Sequence, residues 1–515
     1  MEDAFSYEVM PYPSKFFSQT HPDRLATLAT LFGMKPAPPE RCRVLELGCG
    51  NGSNLVSHAF NLPEARFVGV DLAENHIADA KQSARELNLS NVEFHRMDVT
   101  RMTAGEFGKF DYIIAHGLYS WIPAFVREKV LALYREMLAE NGVGYVSYNA
   151  YPGAHHRRMV QEMMSFHTRD TSEPMEKVGK AISFLAFLCE HADEKEFYQI
   201  ILNQELKRHF EHEAADVFHD DLAEFNQPFY FHEFAAQLAE NDLQFLSEAE
   251  LHALGTHGLA PAAKEFVDAI PETVEREQYL DFLRGRIFRQ TLFCHREIVL
   301  QRDLQPPVLR DFLVTSSIRP LSENPEPASQ KIEKFVGANS VGIEIDHPLT
   351  KAALVHLGKI YGRAVAFPEL LQTAKETLEK ENFTADWENQ FSVASVIFLQ
   401  ICLGTNLVQL HTFQPAAPTE PSEKPRVNRL AQWQLRRANN FLTLLNLDIK
   451  IEDEVSRHLV ELLDGTRNRN DLLEQMQAFI TSTGEIEDKE ALLKDLPAWL
   501  EESLTNLARM GMFDS

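Results

Sequence analysis

Short apolar runs alternate with amphipathic stretches through the first 150 residues. The runs at 44–47, 66–70, 92–99, 110–118 and 143–148 are brief, rich in Val, Ile, Phe and Tyr, and bounded by Gly, Asn or Asp. That is the signature of buried parallel strands. Between them apolar residues recur three and four apart: Leu55, Val56 and Ala59, then Ile77, Ala80, Ala84 and Leu87, then a stretch at 124–138. Such spacing gives each helix one apolar stripe. Strand–helix alternation of this kind predicts an α/β fold around a parallel sheet. A further helix precedes it, with Leu25, Leu28, Ala29 and Phe32 inward, Thr20 as N-cap and Gly33 at its end.

The pattern then changes. Residues 155–228 carry only helical spacing, as in Ile182, Leu185, Ala186 and Cys189, and read as a helical insertion or lid. Strand-like runs return at 243–249 and 290–300. Proline-bearing polar stretches at 319–330 and 414–427 read as linkers. The expected organisation is a nucleotide-binding core with an N-terminal cap (1–154), the insertion (155–228), a region completing the sheet (229–318), and two mainly helical, winged-helix-like units (331–413 and 428–515).

Chemistry concentrates at 43–71, RVLELGCGNGSNLVSHAFNLPEARFVGVD. Glycines at a strand-to-helix turn allow close approach of the backbone to a ligand, and an acid ending the next strand can hold a ribose. A dinucleotide site prefers G-x-G-x-x-G. Here the turn is E-x-G-x-G-x-G, from Glu46 through Gly48, Cys49, Gly50 and Gly52, followed by Asp71 and Leu72. This resembles the S-adenosylmethionine (SAM) site of class I methyltransferases. By the same resemblance Asp98 and Val99, at the end of the third strand, receive the adenine.

Charge narrows the acceptor. The chain has 76 Asp+Glu against 50 Lys+Arg and a net charge of -26. Such a field repels phosphate backbones, which argues against nucleic acid, and attracts a cationic protein substrate. The five cysteines, Cys42, Cys49, Cys189, Cys294 and Cys402, form no C-x-x-C pair, so neither a disulfide frame nor a cysteine zinc site is expected. The acidic start at residues 1–9 has no signal-peptide apolar region, and no run is long enough to span a bilayer. The expectation is a cytoplasmic protein without membrane insertion.

Five stretches together carry a narrower resemblance: YPSKFFSQTHPDRL near the N-terminus, ELGCGNGSN at the turn, SYNAYPG at 147–153, FHDDLAEFNQPFYFHEF at 218–234 and LLDGTRNRNDLL at 462–473. The chain resembles class I methyltransferases with an added methyltransferase regulatory domain, and the bacterial protein-lysine methyltransferases of rickettsial type. The resemblance implies a Rossmann-like seven-stranded sheet whose last strand is antiparallel, SAM as cofactor, and a lysine-bearing protein as acceptor. A small-molecule methyltransferase and a non-catalytic SAM-binding interaction protein are the alternatives. The long C-terminal half favours a macromolecular acceptor or an assembly such as a homodimer.

Ligands of parallel sheets sit at the carboxyl ends of the strands. The loops after strands four and five therefore face the methyl, which nominates His116, Tyr119, Trp121, Asn149 and Tyr151, with His116 as the base and as a cofactor neighbour. The aromatic residues would wall an apolar mouth that lowers the pKa of a lysine. Tyr12, Thr20 and His21 of the cap are further candidates for SAM contact. His219, Asp220 and Asp221 read as caps for a helix beginning at Leu222 or as a device to steer an acceptor lysine. No metal is expected, because methyl transfer to an amine needs none.

Overall fold

The computed structural model describes residues 10, 12–191, 197–223, 225–337, 341–415, 417–438, 440–451, 453–484 and 489–514. The expectation drawn from residues 1–9 lies outside them. Five parallel strands, β1 (Arg43–Leu47), β2 (Arg66–Asp71), β3 (Val92–Arg96), β4 (Phe110–Ala115) and β5 (Leu138–Asn149), alternate with helices as the apolar periodicity predicts. Two more, β6 (Leu243–Glu248) and β7 (Phe288–His295), close the sheet in the order β3-β2-β1-β4-β5-β7-β6. β7 runs antiparallel to both its neighbours. The runs at 243–249 and 290–300 thus do complete the sheet across the helical segment.

Why β7 holds its place is visible at Arg289. Its guanidinium is fully buried yet bonded to Glu248 of β6 and to Glu277 and Asp281 of the helix Thr273–Arg284, at 2.7–3.1 Å. A buried cation is tolerated only where acids meet its donors.

Five helices position the site: α1 (Pro22–Leu31), α2 (Ser53–Asn61) after β1, and α3 (Ala154–His167), α4 (Pro174–His191) and α5 (Phe197–Glu211) of the insertion. The insertion has its own small core, with Val160, Met164, Leu185 and Leu202 buried together. It ends in a π-helical turn, Val217–Asp221. No helix starts at Leu222; the next long one is Phe231–Glu240. The expected capping role of Asp220 and Asp221 is therefore corrected.

The stretch at 319–330 is not an interdomain linker. Arg319 and Pro320 pair with Val336 and Phe335, and the earlier strand Leu313–Ser316 pairs with Val408–His411. The middle unit thus begins by Leu313, because that strand is central in its sheet, between Val365–Ala366 and Val408–His411. Asp23 of α1 fastens this unit to the cap. Its carboxylate accepts from the N–H groups of Thr412 and Phe413, each at 2.8 Å, and lies 2.8 Å from His411 Nδ1. The C-terminal unit, with helices Arg429–Leu435, Glu454–Leu462, Arg469–Ser482 and Lys489–Arg509, packs on the back of the nucleotide-binding half. Arg437 meets Asp79 at 3.0 Å and Gln434 donates to Ser57 at 3.2 Å. No helix among the described residues is long and apolar enough to cross a membrane.

Candidate active site

β1 lies between β2 and β4, so its carboxyl end opens where the strand order reverses. That reversal is where open α/β sheets bind ligands. Gly48, Gly50 and Gly52 all take positive φ, at 70°, 54° and 72°. A Cβ on Gly52 would lie 2.7 Å from Ala80 Cβ and from the Phe94 ring, so close packing also requires glycine there. A Cβ on Gly50 would meet nothing within 4 Å, which leaves its face open to a ligand.

Five N–H groups in and beside the turn are already used. Gly48 and Cys49 donate to Val70 O at 2.9 and 3.0 Å, Gly50 to Asp71 Oδ2 at 2.9 Å, Gly52 to Cys49 O at 3.0 Å, and Ser53 to Asn51 Oδ1 at 3.3 Å. A pyrophosphate site needs such donors free at the helix N-terminus. Their internal use suits a ligand with no phosphate. Asp71, which also accepts from Ala73 N at 2.9 Å, stands at the end of β2 with both oxygens oriented by backbone. Leu72 beside it is half exposed. Asp98 caps its own turn, accepting from Thr100 N and Oγ1 at 2.9 and 2.7 Å through Oδ1, and Val99 follows half-buried. Cys49 has a buried thiol whose pKa burial raises, so that side chain is chemically quiet.

Glu46 is buried. Its Oε1 accepts from Asn54 Nδ2 at 2.9 Å and its Oε2 has no hydrogen-bond partner among the described residues. Burial pushes its pKa up to about 8, opposed by the Asn54 bond and reinforced by Asp71. Asn54 also binds the cap, accepting from Phe17 N at 3.1 Å and donating to Thr20 Oγ1 at 3.0 Å. Ser14 Oγ accepts from Asn51 Nδ2 at 2.9 Å. The cap is thus stitched over the glycine turn by residues whose roles the sequence did not reveal. Thr20 is not the N-cap of α1. That place belongs to His21, whose Nδ1 accepts from Asp23 N at 3.2 Å. Burial lowers the His21 pKa to about 4.

The loops after β4 and β5 divide differently from expectation. His116 lies flat on Phe17, centroids 3.7 Å apart, with Nδ1 2.8 Å from Tyr145 Oη. Burial, aided by the charge of Lys15, depresses its pKa to about 3. The stacking on Phe17 and the depressed pKa together argue against His116 as the base expected from strand order. Tyr119 is fully buried between Phe229 and Phe234, with Oη 2.5 Å from Gln237 Oε1. It belongs to the core and walls no mouth. Trp121 stays half-buried in the short turn Tyr119–Trp121, and Tyr151 stacks on His155 at 4.0 Å and neighbours Tyr230 at 5.1 Å.

Asn149 ends β5 and connects the strand to the insertion. It donates to Asn226 Oδ1 at 2.9 Å; Asn226 donates to Gln161 Oε1 at 2.9 Å; Gln161 donates to Asp221 Oδ1 at 2.9 Å and to Asp220 O at 3.0 Å. Asp221 is also met by Arg157 at 3.2 Å, Arg208 at 2.9 Å and His209 at 3.1 Å. Burial alone would raise its pKa, but the His209 bond and the two arginines outweigh burial and hold it well below the carboxylate range. Asp220 has the opposite environment: burial pushes it up to about 6, with Arg157 opposing and Asp221 adding. The adjacent acids thus sit in opposite electrostatic environments, and Asp220 takes up a proton well before Asp221 as pH falls.

Comparison with known proteins matches three parts of the chain to families. Residues 39–213 match a methyltransferase domain family, 213–295 a predicted methyltransferase regulatory domain, and 423–512 the PKMT C-terminal winged helix domain. An uncharacterized protein of Rickettsia prowazekii is 29% identical over 511 residues, 95% of this chain and 90% of its own. A second protein of that organism is 32% identical over 242 residues, 47% of this chain and 96% of its own. The structure of PKMT2 from Rickettsia typhi in complex with AdoHcy superposes with a TM-score of 0.86 at 28% identity, covering 98% of this chain and all of that one.

Proposed function

We propose that this class I methyltransferase, with its regulatory and winged-helix domains, uses SAM as donor and transfers the methyl group to lysine side chains of a protein acceptor. The observation that carries the reading is the full-length likeness to PKMT2, which extends through the winged-helix unit and not only the nucleotide-binding sheet shared by all class I enzymes. Asp71 would hold the ribose, Asp98 and Val99 the adenine, and the open face of Gly50 would pass beneath the methionine part.

When bound, the cofactor supplies an electrophilic methyl on a sulfonium. The chain's own work is to orient a neutral amine against it, and orientation supplies much of the rate. A free lysine has a pKa of about 10.4, so its proton must leave first. Asp220 is the carboxylate best suited to take it, since a base works best with a pKa near the working pH. Asn149 lies two hydrogen-bonded side chains away from the Asp220 carbonyl.

Incubation with methyl-labelled SAM and a bacterial lysate tests the reading. Acid hydrolysis of the labelled protein should release methyllysine. Label confined to small molecules would replace protein by a metabolite as acceptor. Binding of S-adenosylhomocysteine with no transfer at all would reduce the chain to a SAM-binding interaction protein.

A further inference from the structure

The cap places one lysine of the chain itself over the strand ends. Ser14 is held by Asn51 and Phe17 by Asn54, both in the segment following β1, and Lys15 stands between them. Its Nζ lies 2.6 Å from Asp216 Oδ1 and 3.2 Å from Tyr12 Oη, and 4.8 Å from the centroid of the Tyr12 ring. An ammonium is therefore seated on a carboxylate, a phenol and an aromatic face. Those three features select a lysine or methyllysine headgroup. Asp216 is buried, and the π-helical turn that follows it carries His219, whose ring meets Tyr12 edge-on at 5.8 Å. Asp220, one turn on, receives no hydrogen bond on its carboxylate from the described residues. Lys15 reaches Asp216 at the end of the insertion, and Phe17, two residues on, stacks on His116 beyond the end of β4, so the ammonium lies between the sheet and the insertion.

We propose that Tyr12 and Asp216, with Asp220 beside them, form the ammonium end of the acceptor site, and that Lys15 is an intramolecular competitor occupying it until an acceptor displaces it. The proposal rests on the lysine reading above. A tethered competitor acts at an effective concentration of order millimolar, so it weakens the apparent affinity of an acceptor without blocking turnover. Displacement is cheap, because the Lys15 side chain keeps 31% of its surface exposed and can swing into water.

Steady-state kinetics with a single-lysine peptide, and its norleucine counterpart as blank, test the proposal. Lys15→Met keeps the stem and removes the charge. It should lower KM for the peptide about fivefold or more with kcat within about twofold. Asp216→Asn should raise KM about tenfold, as loss of a charged partner does. Both variants should bind S-adenosylhomocysteine as the parent does. Should Asp216→Asn fail to fold, Tyr12→Phe keeps the ring, loses the phenol and should raise KM modestly. An unchanged KM in Lys15→Met would overturn the proposal. So would a parallel loss of S-adenosylhomocysteine affinity, because Lys15 would then serve the cofactor. Equal KM values in all forms, with methyllysine produced, would remove the competitor and leave the lysine reading standing. Absence of transfer to any lysine peptide, with the homocysteine product still bound, would remove both.

Discussion

The cofactor face and the acceptor face of the sheet are built in opposite ways. On the cofactor face the decisive contacts join residues between Glu46 and Ala73, and most have a backbone N–H of the glycine turn or its flanks as donor. On the acceptor face the partners are distant. Lys15 and Asp216 are 201 residues apart, Asn149 and Asn226 77, and Gln161 and Asp221 60. The first face is held by steric fit, the second by charge and amide hydrogen bonds. One should therefore fail through packing and the other through charge.

Gly52→Ala should break the cofactor face with the largest effect. The new Cβ would meet Ala80 and Phe94 at 2.7 Å on a backbone of positive φ. Overpacking and the left-handed conformation together cost about 2–4 kcal/mol. A lower melting temperature and loss of S-adenosylhomocysteine binding by calorimetry are expected. A variant that melts and binds normally would show that the turn is less closely packed than the distances imply.

Asp221→Asn should break the acceptor face alone. Loss of a charge from a buried pair costs 3–5 kcal/mol, but Arg157 and Arg208 each keep 23% of their side-chain surface exposed, so about 2–3 kcal/mol is expected. S-adenosylhomocysteine affinity should hold while methyl transfer falls. The pH dependence has a definite sign. The folded pKa of Asp221 is depressed, so its stabilisation is complete above the unfolded carboxylate value and fades as pH falls below about 4. The variant should lose that acid-side slope in melts taken between neutral and acid pH.

The same contrast explains what the sequence disclosed. The glycine turn, Asp71 and the strand order were legible because positive φ, strand-end acids and apolar periodicity are local properties. The completing strands at 243–249 and 290–300 were legible for the same reason. Lys15, Ser14, Asn54 and Asp216 left no signal, since their roles depend on contacts across tens to hundreds of residues. Strand order led to His116 and Tyr119, but it cannot tell a side chain facing the ligand from one turned into the core; Phe17 and Gln237, which decide that, lie on other elements. The stretch at 319–330 misled for a related reason. Its prolines are real turn signals, yet its first residues pair with a strand beginning at Glu333.

The smallest expected effect sharpens the boundary between core and site. Tyr119→Phe keeps the ring between Phe229 and Phe234 and removes only the hydroxyl that meets Gln237. A net loss of about 1 kcal/mol follows from one buried hydrogen bond, with part of it arising from the amide oxygen left behind. Burial already holds the phenol pKa far above neutrality, so the hydroxyl carries no charge that a substrate could sense. Methyl transfer per folded molecule and KM for a lysine peptide should therefore stay at their parent values while the melting temperature drops slightly. A fall in kcat at unchanged stability would return Tyr119 to the acceptor face, and would require the β4 loop to open when a substrate binds.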